Sequence, residues 1–148
     1  MHQTYVALTD YDWYSQLLRM PECDRVNFWT PTPWNVKFQD GDKGYFLLKQ
    51  KYGRKICGYG EFEEYENLSI EEAWQKYGKA NGVNGLTELE SRTRMYMEKN
   101  SKMVHCGKGH IIGCICLKNT VFLQDKNQFP PAEKGWDIAG PVMKYKKV

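Results

Sequence analysis

The sequence predicts an α+β domain in which mixed strands close on themselves as a barrel, with helices packed outside. Three observations carry that prediction. Short β-branched and aromatic runs are bounded by Gly, Asp and Pro turns, two helical stretches open with Ser/Thr-x-x-Glu, and no repeat or composition break divides residues 1–148. With 41% hydrophobic and 26% charged residues, 148 residues read as one soluble domain with one core. Folding at this length hides roughly 70% of the surface the unfolded chain exposes, so neither disulfides nor a metal is required for stability.

Thr4-Tyr5-Val6-Ala7-Leu8 is a strand, and Thr9 or Asp10 then caps a helix carrying Trp13, Leu17 and Leu18 on one face. Pro21 and the polar Glu22 to Arg25 precede a short strand, Val26-Asn27-Phe28-Trp29, which runs into Thr30-Pro31-Thr32-Pro33 and Trp34. Gln39-Asp40-Gly41-Asp42 is a turn and Tyr45 to Lys49 a strand; Tyr52-Gly53 is a second turn before the strand Lys55 to Glu63. Gly58 and Gly60 share a face there, where a backbone or a ligand could approach closely.

Ser69 with Glu72 forms a capping box for a helix over residues 70–78, with Ile70, Ala73, Trp74 and Tyr77 at i, i+3, i+4 and i+7. Thr87 with Glu90 repeats the box for a helix reaching Lys99, whose buried side is Leu89, Tyr96 and Met97 and whose polar side carries Arg92 and Arg94. Ser101 to Gly109 is a basic loop, Ile111 to Leu117 a buried strand, Thr120 to Leu123 another, and Lys144 to Val148 an edge strand or linker.

Composition removes several function classes. The longest apolar runs fall far short of the ~20 residues of a membrane span, and the N-terminus lacks a signal pattern, so the chain is placed in the cytoplasm. Five cysteines, an odd count, read as reduced thiols. A net charge of +3 permits a nucleic-acid partner without demanding one, whereas 14% aromatic residues exceed what a core of this size needs and point to an aromatic functional surface.

Asp40-Gly41-Asp42-Lys43-Gly44-Tyr45-Phe46-Leu47-Leu48-Lys49, followed by Ile56-Cys57-Gly58-Tyr59-Gly60-Glu61-Phe62, resembles the EVE and ASCH branch of PUA-like domains. The Thr9-Asp10-Tyr11-Asp12-Trp13, Val26-Asn27-Phe28-Trp29, Ala80-Asn81-Gly82 and Ile112-Gly113-Cys114-Ile115 segments make it most similar to the N-terminal domain of EVE-HNH-type restriction endonucleases. That resemblance implies an EVE-type barrel that recognises a flipped 5-methyl- or 5-hydroxymethylcytosine in DNA. Cleavage would belong to an HNH nuclease, fused or encoded nearby. With only His2, His105 and His110, no HNH module can be assembled, so the chain is expected to catalyse nothing and to be an excised reader or a stand-alone homologue.

A base inside a duplex hides its faces, so inspecting one requires extracting it and replacing its stacking with aromatic walls. The predicted pocket comprises Asn27, Phe28, Trp29, Trp34, Tyr11 and Tyr59. Trp29 and Trp34, separated by a proline-stiffened turn, are its walls, and Asn27 offers the donor and acceptor that a Watson-Crick edge needs. The alternative for each indole is a cap on the core, and for Asn27 a bond to its own turn. Backbone phosphates are assigned to Lys49, Lys51, Arg54, Lys55, Lys102 and Lys108.

No metal or other cofactor is expected. A zinc site from Cys106, His110, Cys114 and Cys116, with Cys57, is disfavoured because Cys114 and Cys116 stand two apart in an apolar strand rather than on a turn. A thiol nucleophile at Cys106 beside His105 or His110 lacks an acid partner. An RNA-binding PUA-type module or a small nucleotide sensor using the same pocket stays open, because one scaffold hosts many ligands.

Overall fold

The computed structural model describes residues 2–99, 107–138 and 145–148. The regular elements are strand β1 (Thr4–Thr9), helix α1 (Tyr11–Leu18), β2 (Val26–Thr30), β3 (Lys43–Leu48), β4 (Ile56–Ser69), α2 (Ile70–Tyr77), α3 (Leu86–Lys99), β5 (Ile111–Phe122) and β6 (Tyr145–Lys147). All six strands lie in one sheet in the order β2-β5-β4-β3-β1-β6; β1 and β3 run parallel and every other pair antiparallel. No helix among the described residues is long and apolar enough to cross a membrane.

The predicted barrel is not closed: among the described residues β2 and β6 are the two edges of the sheet, with no ladder between them. The sheet is strongly curled nonetheless, because Tyr5 and Ala7 of β1, Phe28 of β2 and Tyr145 of β6 all line one internal void of about 20 Å³. Rings fill the seam in place of backbone pairing. Trp34 and Phe38, from the segment after β2, meet Tyr145 at centroid distances of 5.0 and 4.6 Å.

Two strand predictions change in extent. β4 continues past Glu63 to Ser69, and β5 is one strand where two were expected. Glu61 faces Lys118 while Tyr59 faces Val121, so two β5 residues, Asn119 and Thr120, stand opposite Gly60 alone. This is a bulge, and Asn119 takes its left-handed φ of 52°, a conformation that asparagine tolerates better than most residues. The close approach expected at Gly58 and Gly60 is made by β5 itself. A Cβ on Gly58 would lie 2.6 Å from Val121 O, and one on Gly60 would lie 2.6 Å from Thr120 Cγ2.

Both helices α2 and α3 are inserted between β4 and β5. They bury Ile70, Ala73, Leu89 and Met97 against Ile112 and Cys114 of β5. At the start of α2 the capping box is complete, with Ser69 Oγ accepting from Glu72 N at 3.0 Å and Glu72 Oε1 accepting from Ser69 N at 2.9 Å. The second box does not form, because α3 begins at Leu86 and places Thr87 inside the helix. Glu88 instead reaches back to Asn84 N at 3.4 Å, and Leu89 N bonds Gly85 O at 3.1 Å.

Gly82, in the turn between those helices, has φ +74°, and a Cβ there would lie 2.3 Å from Trp13 Cδ1. Left-handed backbone and steric conflict act together, so Gly82→Ala is expected to cost about 3 kcal/mol. Urea unfolding that showed no change in midpoint would refute this packing of Trp13.

Candidate functional site

A cavity of about 650 Å³ opens at the β2 edge of the sheet, where the start of α1, the end of β2 and the length of α3 meet. Its aromatic walls are Phe28 and Trp29 from β2, Trp34 beyond the Pro31-Thr32-Pro33 turn, Trp13 from α1 and Tyr96 from α3. Leu8, Pro31 and Met97 add apolar surface, and Asp10, Lys49, Arg92 and Lys99 supply charge. The volume falls within the range of about 300–1,000 Å³ typical of small-molecule sites.

Local chemistry fixes each wall. Trp29 Nε1 donates to Asn81 O at 2.9 Å, and Trp13 Nε1 donates to Asn27 O at 3.1 Å, so both indoles are pinned by their polar edges. Trp34 is held by its backbone N, which donates to Tyr65 Oη at 3.0 Å, and by a close approach to Gly113, where a Cβ would lie 3.1 Å from Trp34 Cδ1. His110 Nε2 lies 2.7 Å from Pro31 O and ties down the intervening turn.

The N-terminus of α1 breaks a common pattern. Asp10 occupies the N-cap position but makes no side-chain cap. Its carboxylate instead accepts from the Tyr96 hydroxyl and pairs with Lys49 Nζ at 3.5 Å. Burial, reinforced by this carboxylate, pushes the Tyr96 phenol well above its ordinary value and keeps it a protonated donor. Arg92 spans Glu88 Oε1 at 2.7 Å and Gly82 O at 3.1 Å. Among the described residues the cavity therefore carries one carboxylate, a phenolic hydroxyl and three cations around tilted and edge-on rings, which suits a flat heterocycle with an anionic attachment.

Of the six residues predicted for the pocket, Phe28, Trp29 and Trp34 line the cavity. Asn27 does not: it is fully buried beneath it, with Nδ2 donating to Asn81 Oδ1 at 2.8 Å. Its Oδ1 has no hydrogen-bond partner among the described residues, and its carboxamide lies against the Cys114 thiol. Tyr11 stands outside the cavity, stacked on Tyr52 at 4.4 Å. Tyr59 is elsewhere, its ring 5.5 Å from that of Tyr45, because it sits on β4 opposite Tyr45 of β3, with β5 between β4 and β2.

Among the predicted phosphate contacts only Lys49 reaches the cavity. Lys51 and Lys55 are exposed nearby on the β3–β4 turn, and Arg54 bonds Ile138 O at 2.7 Å. Lys108 is exposed in the loop before β5, where its carbonyl accepts from Glu71 N at 3.1 Å at the start of α2. Lys102 lies outside the described residues.

Asp10, Arg92 and Tyr96 are cavity-lining positions that the sequence pattern did not assign to the pocket. Arg92, Tyr96 and Lys99 recur at i, i+4 and i+7, so one stripe of α3 mixes cations with an aromatic ring; that spacing was the available signal. Among the described residues no thiol lines the cavity. Cys57 lies in the core with Trp13 and Phe46, and Cys114 lies under α2 and α3, where burial raises its thiol to about 11. Among the described residues no three His, Cys, Asp or Glu side chains are grouped to hold a metal; Cys106 and His105 lie outside them.

No protein-family model matches the chain, and no curated protein matches it in sequence. Solved structures do. The ASCH protein of Zymomonas mobilis superposes with a TM-score of 0.64 over 99% of this chain and 87% of its own, at 8% identity. Two single-substitution variants of that protein give TM-scores of 0.61 and 0.60 at 9% identity, covering 99% of this chain and 91% and 89% of theirs. Such low identity speaks to architecture alone, and on that ground the chain shares the fold of that ASCH structure.

Proposed function

We propose that the cavity captures a single cytosine drawn out of the DNA stack and carrying a 5-methyl or 5-hydroxymethyl group, and that the domain reads this base without chemistry of its own. The observation that supports this reading is the cavity between Trp29, Trp34 and Tyr96, with Asp10 as the one carboxylate among its described lining residues. Aromatic walls replace the stacking that an extruded base loses, at roughly 1–3 kcal/mol per base. Asp10 takes the role expected of Asn27. A carboxylate accepts from the N4 amino group of cytosine and repels the O4 oxygen of thymine or uracil. Leu8, Pro31 and Met97 offer an apolar wall to the C5 substituent, and Lys49, Arg92 and Lys99 face the phosphates.

The engagement of the ionisable groups with one another, Asp10 with Lys49 and Tyr96 and Arg92 with Glu88, favours binding over catalysis. The segments that resemble EVE-HNH readers extend this to a role in the cytoplasm as the specificity module of a modification-dependent restriction system, with cutting supplied by an HNH nuclease.

Binding assays with single-modified duplexes, matched RNAs and free nucleosides test the reading. The modified duplex is expected to bind about tenfold tighter than the unmodified one, the order of effect of one methyl group in a fitted pocket. A preference for unmodified RNA would replace the DNA assignment. Asp10→Asn presents an amide that can face O4, so discrimination of cytosine over thymine is expected to fall about tenfold in the same assay. Unchanged discrimination would remove Asp10 from the base edge.

A further inference from the structure

We infer that the DNA strand does not end at the cavity but continues, unpaired, across the Tyr11–Tyr52 stack, which holds the base next to the captured one; this rests on the base-capture reading above. The two rings lie 4.4 Å apart with an interplanar angle of 17°, and both residues are 37% exposed, which leaves ring surface open to a further planar group. Their backbone positions tie them to the cavity rim. Tyr11 directly follows Asp10, Tyr52 follows Lys49 by three residues, and Asp10 and Lys49 are joined across the rim at 3.5 Å. A strand leaving the cavity past this ion pair therefore meets the tyrosines next.

Charge at the platform selects the occupant. Lys51 Nζ stands 5.5 Å from the Tyr52 ring centroid, Lys55 is exposed, and neither is paired with a carboxylate among the described residues. Exposed rings beside unpaired lysines are the means by which proteins hold single-stranded nucleic acid, because every base has a π-face and every linkage a phosphate. Within a duplex the neighbouring base stays stacked and its face is unavailable to Tyr52. The platform therefore commits the domain to a DNA strand that is single or locally opened beside the target cytosine, and excludes a free nucleoside as the full ligand.

The test is fluorescence anisotropy with labelled single-stranded DNA hexamers that contain one modified cytosine, beside competition by the modified mononucleotide. Tyr52→Ala is expected to weaken hexamer binding about tenfold and leave the mononucleotide unaffected, with Tyr52→Phe restoring the hexamer because the ring is retained. Lys51→Gln is expected to reduce the slope of log affinity against log salt by about 0.7 for the hexamer. If Tyr52→Ala leaves hexamer affinity unchanged while Trp29→Ala abolishes it, the platform is overturned and base capture stands. If neither hexamer nor mononucleotide binds the unaltered protein, base capture itself fails. An RNA hexamer held more tightly than the DNA, with the same dependence on Tyr52, overturns the assignment of DNA as the strand.

Discussion

Asn81→Ala is expected to lower the thermal midpoint by about 5–20 °C, the largest effect on stability expected near the site. Asn81 is fully buried; its Oδ1 accepts from Asn27, and its Nδ2 donates to Ala73 O and Gly78 O at 3.0 and 2.8 Å. Removing the carboxamide orphans Asn27 Nδ2 and takes one of two acceptor bonds from each of Ala73 O and Gly78 O, which keep their helical donors. At about 1–3 kcal/mol for the unpaired buried donor and about 0.5–1.5 kcal/mol for each lost carbonyl bond, the loss is about 2–6 kcal/mol. Domains of this size lose about 2–4 °C for each kcal/mol, which gives the stated shift. Calorimetry measures it, and a shift below about 3 °C would mean that the buried amide pair contributes little. Asn27→Leu also breaks the pair but leaves the bonds to Ala73 and Gly78 in place, so it is expected to be the milder change.

Trp29→Ala is expected to weaken binding of the modified base by about 10- to 100-fold, the equivalent of losing one stacking wall. The indole has two jobs that must be separated. It faces the cavity, 5.8 Å from the Tyr96 ring centroid, and it also donates Nε1–H to Asn81 O while packing beside α2 and α3. Trp29→Phe keeps a π-face and loses only the anchor, so its binding loss is expected to be several-fold smaller even though it too is destabilised. Isothermal titration, run alongside unfolding curves for both variants, distinguishes the roles. Equal losses for Ala and Phe would assign Trp29 to structure instead of to the base.

Local signals in the sequence were the most legible. The Ser69 and Glu72 pairing names its helix because both bonds lie within one turn, and both form. Thr87 and Glu90 have the same spacing, yet Gly85 and Asn84 compete for the start of α3, and the helix begins early enough to bypass the threonine. β5 read as two strands because Asn119 interrupts the apolar run, and only the pairing with β4 reveals the interruption as a bulge. Barrel closure depends on whether distant edges meet, which no local pattern encodes; here Trp34, Phe38 and Tyr145 fill the gap with side chains.

The site divides the same way. Trp29 and Trp34 reach the cavity wall together because a stiff turn separates them, a placement legible in the sequence. Alternation along β2 says which face a side chain takes and not whether that face is open, so it does not reveal that Asn27, which points with Trp29 toward the helices, is sealed beneath the cavity by Asn81. Asp10 was read as a helix cap, its commonest use, while its partners Tyr96 and Lys49 are remote in sequence, so its role emerges only after folding.

β2 is five residues long and, among the described residues, has a neighbour on one side only. Bare strand margins invite other chains to dock and propagate as fibres, and proteins commonly blunt them with short length and overlying side chains. Here the blunting groups are Trp13, bonded to Asn27 O, and Trp29, bonded to Asn81 O, which also line the cavity. The cavity wall and the guard against self-association thus draw on the same two indoles, so substitutions that reshape this cavity are expected to carry a solubility cost at the margin.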